Sequence, residues 1–141
     1  MNVLSSPRFL PTVLWIDAAS CVASGVLQIA VPARVAGLLG LPPLLVTLTG
    51  WVLLAAATLA ILGARNTARR GVIGLLIAGN VLWVLGCLEL LFTAGTPTPL
   101  GYAWLAMQAV AVGVLAELEF IGLRRNGLVD RTRAVQSASR V

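Results

Sequence analysis

The sequence predicts an all-α integral membrane protein, a four-helix bundle with a short interfacial helix between its first two spans. Three observations carry that prediction. Hydrophobic residues make up 59% of the 141-residue chain and charged residues 11%, too little polar surface to wrap a water-soluble core. Mean hydropathy is +0.97. Four apolar segments are each long enough, at about 1.5 Å per residue, to cross ~30 Å of hydrocarbon. Helices are the form expected of each, because an open sheet cannot satisfy its backbone groups in lipid.

The first span covers residues 9–31. Arg8 ahead of an apolar run resembles a signal peptide, but Asp17 and Gln28 interrupt the run and no convincing small-x-small site precedes Pro32, so a retained helix is expected. VPARVAGLLGLPP follows, with Pro32 suited to a helix start and Pro42-Pro43 to a stop. It is too short to cross, so it reads as a short amphipathic or re-entrant helix on the outer side. The second span, 44–64, offers threonines and the small residues Ala56, Ala60 and Ala64 for close packing. RNTARR leads to the third span, 71–93, and the uncharged turn region TAGTPTPLG to the fourth, 101–123. The fourth span carries a stripe of small residues, Ala106, Ala109, Gly113 and Ala116. Residues 124–141 form a basic, serine-containing tail expected to extend the helix and then fray. The whole chain, 1–141, reads as one four-span domain.

Charge sets the expected orientation. There are ten arginines, no lysine and five acids, for a net charge of +5. With a cytoplasmic N-terminus, Arg8, the RNTARR loop and the tail all lie inside and only Arg34 lies outside, which predicts N-in and C-in. The basic clusters flank spans and are not interleaved with aromatics, so membrane lipids and not nucleic acid are the expected partners. The chain has no histidine, which removes the commonest general base and metal ligand. Cys21 and Cys87 are far apart, with no C-x-x-C, and read as small packing residues. A Ser-His protease is excluded, and an intramembrane aspartate protease would lack its second aspartate. No enzyme activity, metal or cofactor is expected.

The polar residues inside the spans are the candidate site. Asp17, Ser20, Cys21, Ser24 and Gln28 follow i, i+3, i+4, i+7, i+11, which confines them to an arc of about 100°. An ionised Asp near mid-membrane costs roughly 2.5 to 3.5 kcal/mol on insertion scales, so this stripe must face protein or a water-filled cavity. In the third span Asn80, Trp83 and Cys87 share a face, and Asn80 lies about as deep as Asp17, each on the order of 12 Å in. An Asn80 amide bonded to the Asp17 carboxyl is expected, with Ser20 as a second donor. The depths sort the polar residues into an inner layer of Asp17, Asn80 and Glu117 and an outer layer of Gln28, Glu89 and Gln108. Glu119 shares a face with Gln108 but lies near the end of its span, where it is expected to snorkel or to pair with Arg124, Arg125 or a loop arginine. Trp15 and Trp83 fall at mid-depth, and Trp51 and Trp104 fit an outer aromatic belt.

In DAASC (17–21), LLGLPP (38–43), GN-x-LW (79–83), QA (108–109) and LE-x-x-GLRR (118–125) the chain resembles a set of small bacterial four-span membrane proteins, over nearly its full length. In size and layout it is also similar to the DoxX-like group. The resemblance implies the four-span fold and a bacterial cytoplasmic membrane, and it implies no activity. Small multidrug resistance transporters also carry a carboxylate in helix 1, and Asp17 would be its counterpart. The match stops there, because their glycine-rich third-helix pattern is missing and the arginine bias here is strong.

Two functions are therefore expected. The first is a non-enzymatic interaction or accessory module, assembled through polar and small-residue faces as a homo-oligomer or within a larger membrane complex. The second is a binding or transport protein for a small cation, lipid or lipophilic molecule. Its site would be Asp17, Ser20, Ser24, Gln28, Asn80, Trp83, Gln108 and Glu117, with Asp17, expected as the neutral acid for want of a counter-ion at its depth, as the protonatable centre.

Overall fold

The computed structural model describes Ser6, residues 8–93 and residues 97–138, with side chains of the last helix described as far as Gly127 and at Gln136. Among these described residues there are five helices: α1 (Phe9–Ala30), α2 (Pro32–Leu39), α3 (Pro43–Arg65), α4 (Arg70–Thr93) and α5 (Pro99–Ala138). Four of them, α1, α3, α4 and the Pro99–Gly127 part of α5, are long and apolar enough to cross a membrane. The chain is a multi-pass membrane protein, a four-helix bundle with α2 as the interfacial helix.

The first three spans keep their expected limits to within a residue or so. The fourth does not. Its apolar part reaches Gly127, and α5 continues unbroken through the basic tail to Ala138. The physical reason is local: the segment after Leu123 contains no proline and only one glycine, and its arginines are good helix formers. Residues 94–96 of the expected turn region and 139–141 of the tail lie outside the described residues.

The helix α2 is set by its ends. Pro32 occupies the first turn, where a missing N–H is harmless, and Gly40 closes the helix at φ 68°, a left-handed conformation that favours glycine. Pro43 then opens α3. Two residues of α2, Ala36 and Leu39, turn into the bundle. Thr98 fastens the far side of α2: its N–H donates to the Leu39 carbonyl at 3.1 Å and its hydroxyl donates to the Leu38 carbonyl at 2.6 Å. The same hydroxyl accepts the Gly101 N–H at 3.0 Å, so it also caps the start of α5.

Packing is uneven around the ring of spans. The closest pairs are α1 with α3 and α4 with α5, while α1–α5 and α3–α4 are lighter. At the α1–α3 seam the backbones touch: a Cβ added at Gly25 would stand 2.9 Å from the Gly50 carbonyl oxygen. Only a pair of glycines permits that approach. Leu10 packs over Gly122 in the same way at the α1–α5 contact, where an added Cβ would meet Leu10 Cδ1 at 2.9 Å. The half of the bundle nearer the arginines is filled by Leu10, Leu14, Ala18, Ala60, Ile73 and Leu76. Of the expected small-residue positions, Ala60, Ala109 and Ala116 are buried, whereas Ala106 faces outward. The outward surface is apolar, with Trp15 and Trp51 about half exposed, as suits a lipid-facing wall.

Thr98 joins two helices through three hydrogen bonds, so Thr98→Val should destabilise the α2 end selectively. The expected loss is on the order of 1 kcal/mol, with faster amide exchange in α2 and unchanged exchange at the α1–α3 seam. Hydrogen-exchange mass spectrometry in detergent checks this, and equal exchange everywhere would refute the anchoring role.

Candidate functional site: a buried acid clasp and a lateral cavity

The expected polar residues separate into two places. The first is a buried cluster across three helices. Asp17 on α1, Asn80 on α4 and Glu119 on α5 are 1%, 4% and 0% exposed. Asn80 Nδ2 donates to Asp17 Oδ2 at 3.4 Å and to Glu119 Oε2 at 3.2 Å, spending both of its N–H groups on carboxyls. The Cys21 thiol donates to Asp17 Oδ1 at 3.6 Å, so this cysteine does more than fill space. The Asp17 and Glu119 carboxyls also face each other within hydrogen-bonding reach. Two carboxylates that close repel, and one shared proton turns the repulsion into a hydrogen bond. Glu119 Oε1 is the one clasp oxygen recorded as buried with no donor.

Several expectations are corrected here. Glu119 is not an interfacial ion-pair member. Because α5 continues past Leu123, Glu119 lies about 12 Å inside the span rather than near its end. It falls on the inward face shared by Leu105, Gln108, Val112 and Ala116. Glu117, two residues away and so roughly opposite on the helix, is exposed and takes no part. Ser20 does not reach the Asp17 carboxyl; it is exposed and its hydroxyl donates to the Asp17 backbone carbonyl at 2.8 Å. Ser24 is half-buried on the flank. Contact with α3 through Ala18 and Gly25 centres the buried face of α1 on the Cys21 side of Asp17, which turns both serines away.

The second place is a cavity of about 540 Å³ in the α2 half of the bundle. Gln28, Trp83 and Gln108, all expected site residues, line it; Asp17 and Asn80 do not. Its wall is otherwise mostly apolar, with Thr49, Cys87, Glu89 and Trp104 as additions. Trp104 therefore serves a cavity wall and not only an outer belt. Glu89, expected in the outer polar layer with Gln28 and Gln108, is part of the same wall and is exposed. The exposed residues Val52 of α3 and Gly79 and Leu82 of α4 also border the cavity. It thus opens sideways between α3 and α4, the lightly packed pair, while Leu39 and Leu41 close it at the α2 end.

The polar groups of the cavity are only partly paired. The Thr49 hydroxyl stands 2.8 Å from Gln28 Oε1 and 2.8 Å from its own helix's Leu45 carbonyl, which ties α3 to α1. Gln108 is 8% exposed, yet its carboxamide has no hydrogen-bond partner among the described residues. Trp83 lies between the two places: it packs on Cys21 and Leu53 on one side and on Cys87 and Leu105 on the other, and its buried Nε1–H is unpaired.

Fold and site together define a multi-pass membrane helical bundle with an internal acid-amide clasp and a cavity open to the lipid side. Beyond that class, comparison with known proteins matches the chain to no family model, no curated sequence and no solved structure.

Asn80 and Asp17 should respond differently to substitution. Asp17→Asn keeps the shape, can accept from Asn80 and can donate to Glu119, so thermal stability in detergent should hold or rise. Asn80→Leu leaves the facing acids without their shared donor and should cost about 1 to 3 kcal/mol. Equal melting temperatures for Asn80→Leu and wild type would remove the clasp from the fold's foundations.

Proposed function

We propose that the protein is a non-enzymatic membrane protein that binds a small lipophilic molecule carrying a polar group. The ligand occupies the α2-side cavity and reaches it from the bilayer between α3 and α4. One observation carries this reading. Gln108 is more than nine-tenths buried as a residue, and its carboxamide, which bonds to no described residue and is reachable from an apolar cavity, offers a donor and an acceptor to whatever enters. The cavity's size falls in the range typical of small-molecule sites, and a few polar groups on an apolar wall are their usual chemistry.

Asp17 has a different part in this reading from the one its position in the sequence suggests. It belongs to the clasp, satisfied by Asn80 and Cys21 and absent from the cavity wall, so its role is to fasten α1 to α4 and α5. In this reading the arginine-rich end, where α1 begins and α3 connects to α4, faces the cytoplasm, a reading supported by the arginine bias. The cavity then lies in the outer leaflet.

Gly86 tests the proposal. It lines the cavity, and a Cβ added there would meet nothing within 4 Å, so Gly86→Leu should leave the fold intact while filling the space. Purified from native membranes, the wild type should yield a co-purifying small molecule by mass spectrometry, and Gly86→Leu, with an unchanged melting curve, should yield less than about a tenth as much. Equal recovery from both proteins, or none from either, refutes ligand binding in this cavity.

A further inference from the structure

The chemical class of the ligand can be read from the charges around the cavity, given that the cavity binds a lipophilic molecule at all. Among the described residues Glu89 is the only charged side chain on its wall. Among the described residues nothing pairs with the Glu89 carboxylate, and Arg34, the one arginine on α2, is exposed and not part of the wall. The cavity therefore carries a single uncompensated negative group.

Helix direction brings that group to the unpaired amide. Glu89 lies roughly 6 Å from the α2-side end of α4, and Gln108 roughly 13 Å from the same end of α5. The two helices run oppositely, and helical side chains lean toward the N-terminus of their own helix. Glu89 thus leans deeper and Gln108 leans outward, which brings an acid and an amide toward a common level. Trp104, about 7 Å from the end, adds an indole at that level. A carboxylate, a carbonyl acceptor and an aromatic face are together the donor-hungry surroundings that suit an ammonium group. Below them the cavity continues to Trp83 and Gly79 without another charge, so its length along α4, from residue 90 to residue 79, is roughly 16 Å of mainly apolar wall.

We propose that the ligand is a lipophilic amine, its ammonium held by Glu89, Gln108 and Trp104 and its apolar chain lying along α4 toward Trp83. An anionic amphiphile would meet Glu89 as a like charge, and a neutral one would leave the carboxylate unpaired. Discrimination by charge follows from one residue.

Two diazirine-bearing probes with the same twelve-carbon chain, one a primary amine and one an alcohol, test this by photolabelling the full-length protein in zwitterionic-lipid nanodiscs, with labelled residues mapped by mass spectrometry. The amine should label the cavity wall at concentrations at least about tenfold lower than the alcohol, the ratio expected for a charge-assisted hydrogen bond. Glu89→Gln, at an exposed and unpaired position, should leave the fold intact and bring the amine down to the alcohol's level. An amine that labels no better than the alcohol, or that ignores Glu89→Gln, overturns the amine assignment. Gly86→Leu separates the two levels of the proposal: it should abolish labelling of the wall by both probes. Labelling that survives Gly86→Leu, or no labelling of the wall by either probe, overturns the cavity as a site and the amine with it.

Discussion

A carboxyl taken into hydrocarbon has to find its partners inside the protein, and in this bundle that requirement falls on one amide. Asn80 donates one N–H to Asp17 and the other to Glu119, so a single side chain of α4 ties α1 and α5 together across the bundle centre. All three residues are buried, and each interhelical bond of this kind is worth about 0.5 to 2 kcal/mol. The bonds also have direction, which apolar contacts lack, so they set the rotation of all three helices. A turn of α1 by one residue would carry Asp17 either to the exposed position of Ile16 or into the apolar core where Ala18 packs.

The helix left out of the clasp is α3. It is joined to α1 through the Gly25–Gly50 contact, where backbone touches backbone, and more lightly to α4, to which a short connection links it at the arginine-rich end. There the Asn66 side chain accepts the Ala68 N–H at 3.1 Å and sharpens the turn. With α4 drawn toward α1 and α5 by the clasp, and α3 drawn onto α1 by the glycines, α3 and α4 are left lightly packed against each other. The cavity is what remains between them. It is kept from collapsing by Trp83 at its inner end and by α2, which Thr98 pins across the other.

Much of this was legible in the sequence, and what was not has definite causes. The spans followed from length and hydropathy, α2 from Pro32 and the Pro42-Pro43 pair, and the Asp17–Asn80 pairing from matched depths. Glu119 reads as interfacial only if the fourth span ends at Leu123, whereas the apolar helix runs on to Gly127 and the face it shares with Gln108 points inward. Ser20 and Ser24 lie within the same 100° arc as Asp17, but a stripe has two edges, and only packing decides which edge is buried. Gly25 and Gly50 lie in different helices, so nothing in either segment alone reveals that they meet. The cavity was beyond sequence reasoning altogether, since it is the residue of two attractions acting on different pairs of helices.

Polar groups inside a membrane bundle can be sorted by whether the protein itself satisfies them. The clasp satisfies nearly all of its own: Asn80 donates twice, Asp17 accepts from Asn80 and Cys21, and Glu119 accepts from Asn80 through Oε2, with only its Oε1 left without a donor. Such a cluster has little left to offer a ligand. Gln108 and Glu89, on the cavity wall, have no partner among the described residues, and their unmet hydrogen-bonding capacity is directed at space. Depth in the membrane makes Asp17 the conspicuous residue of the sequence, yet it is the unsatisfied groups, not the deepest one, that mark where a second molecule would be stabilised. The same protein therefore uses similar chemistry for opposite ends: paired acids and amides to hold three helices in register, and an unpaired acid and amide to meet what enters between the other two.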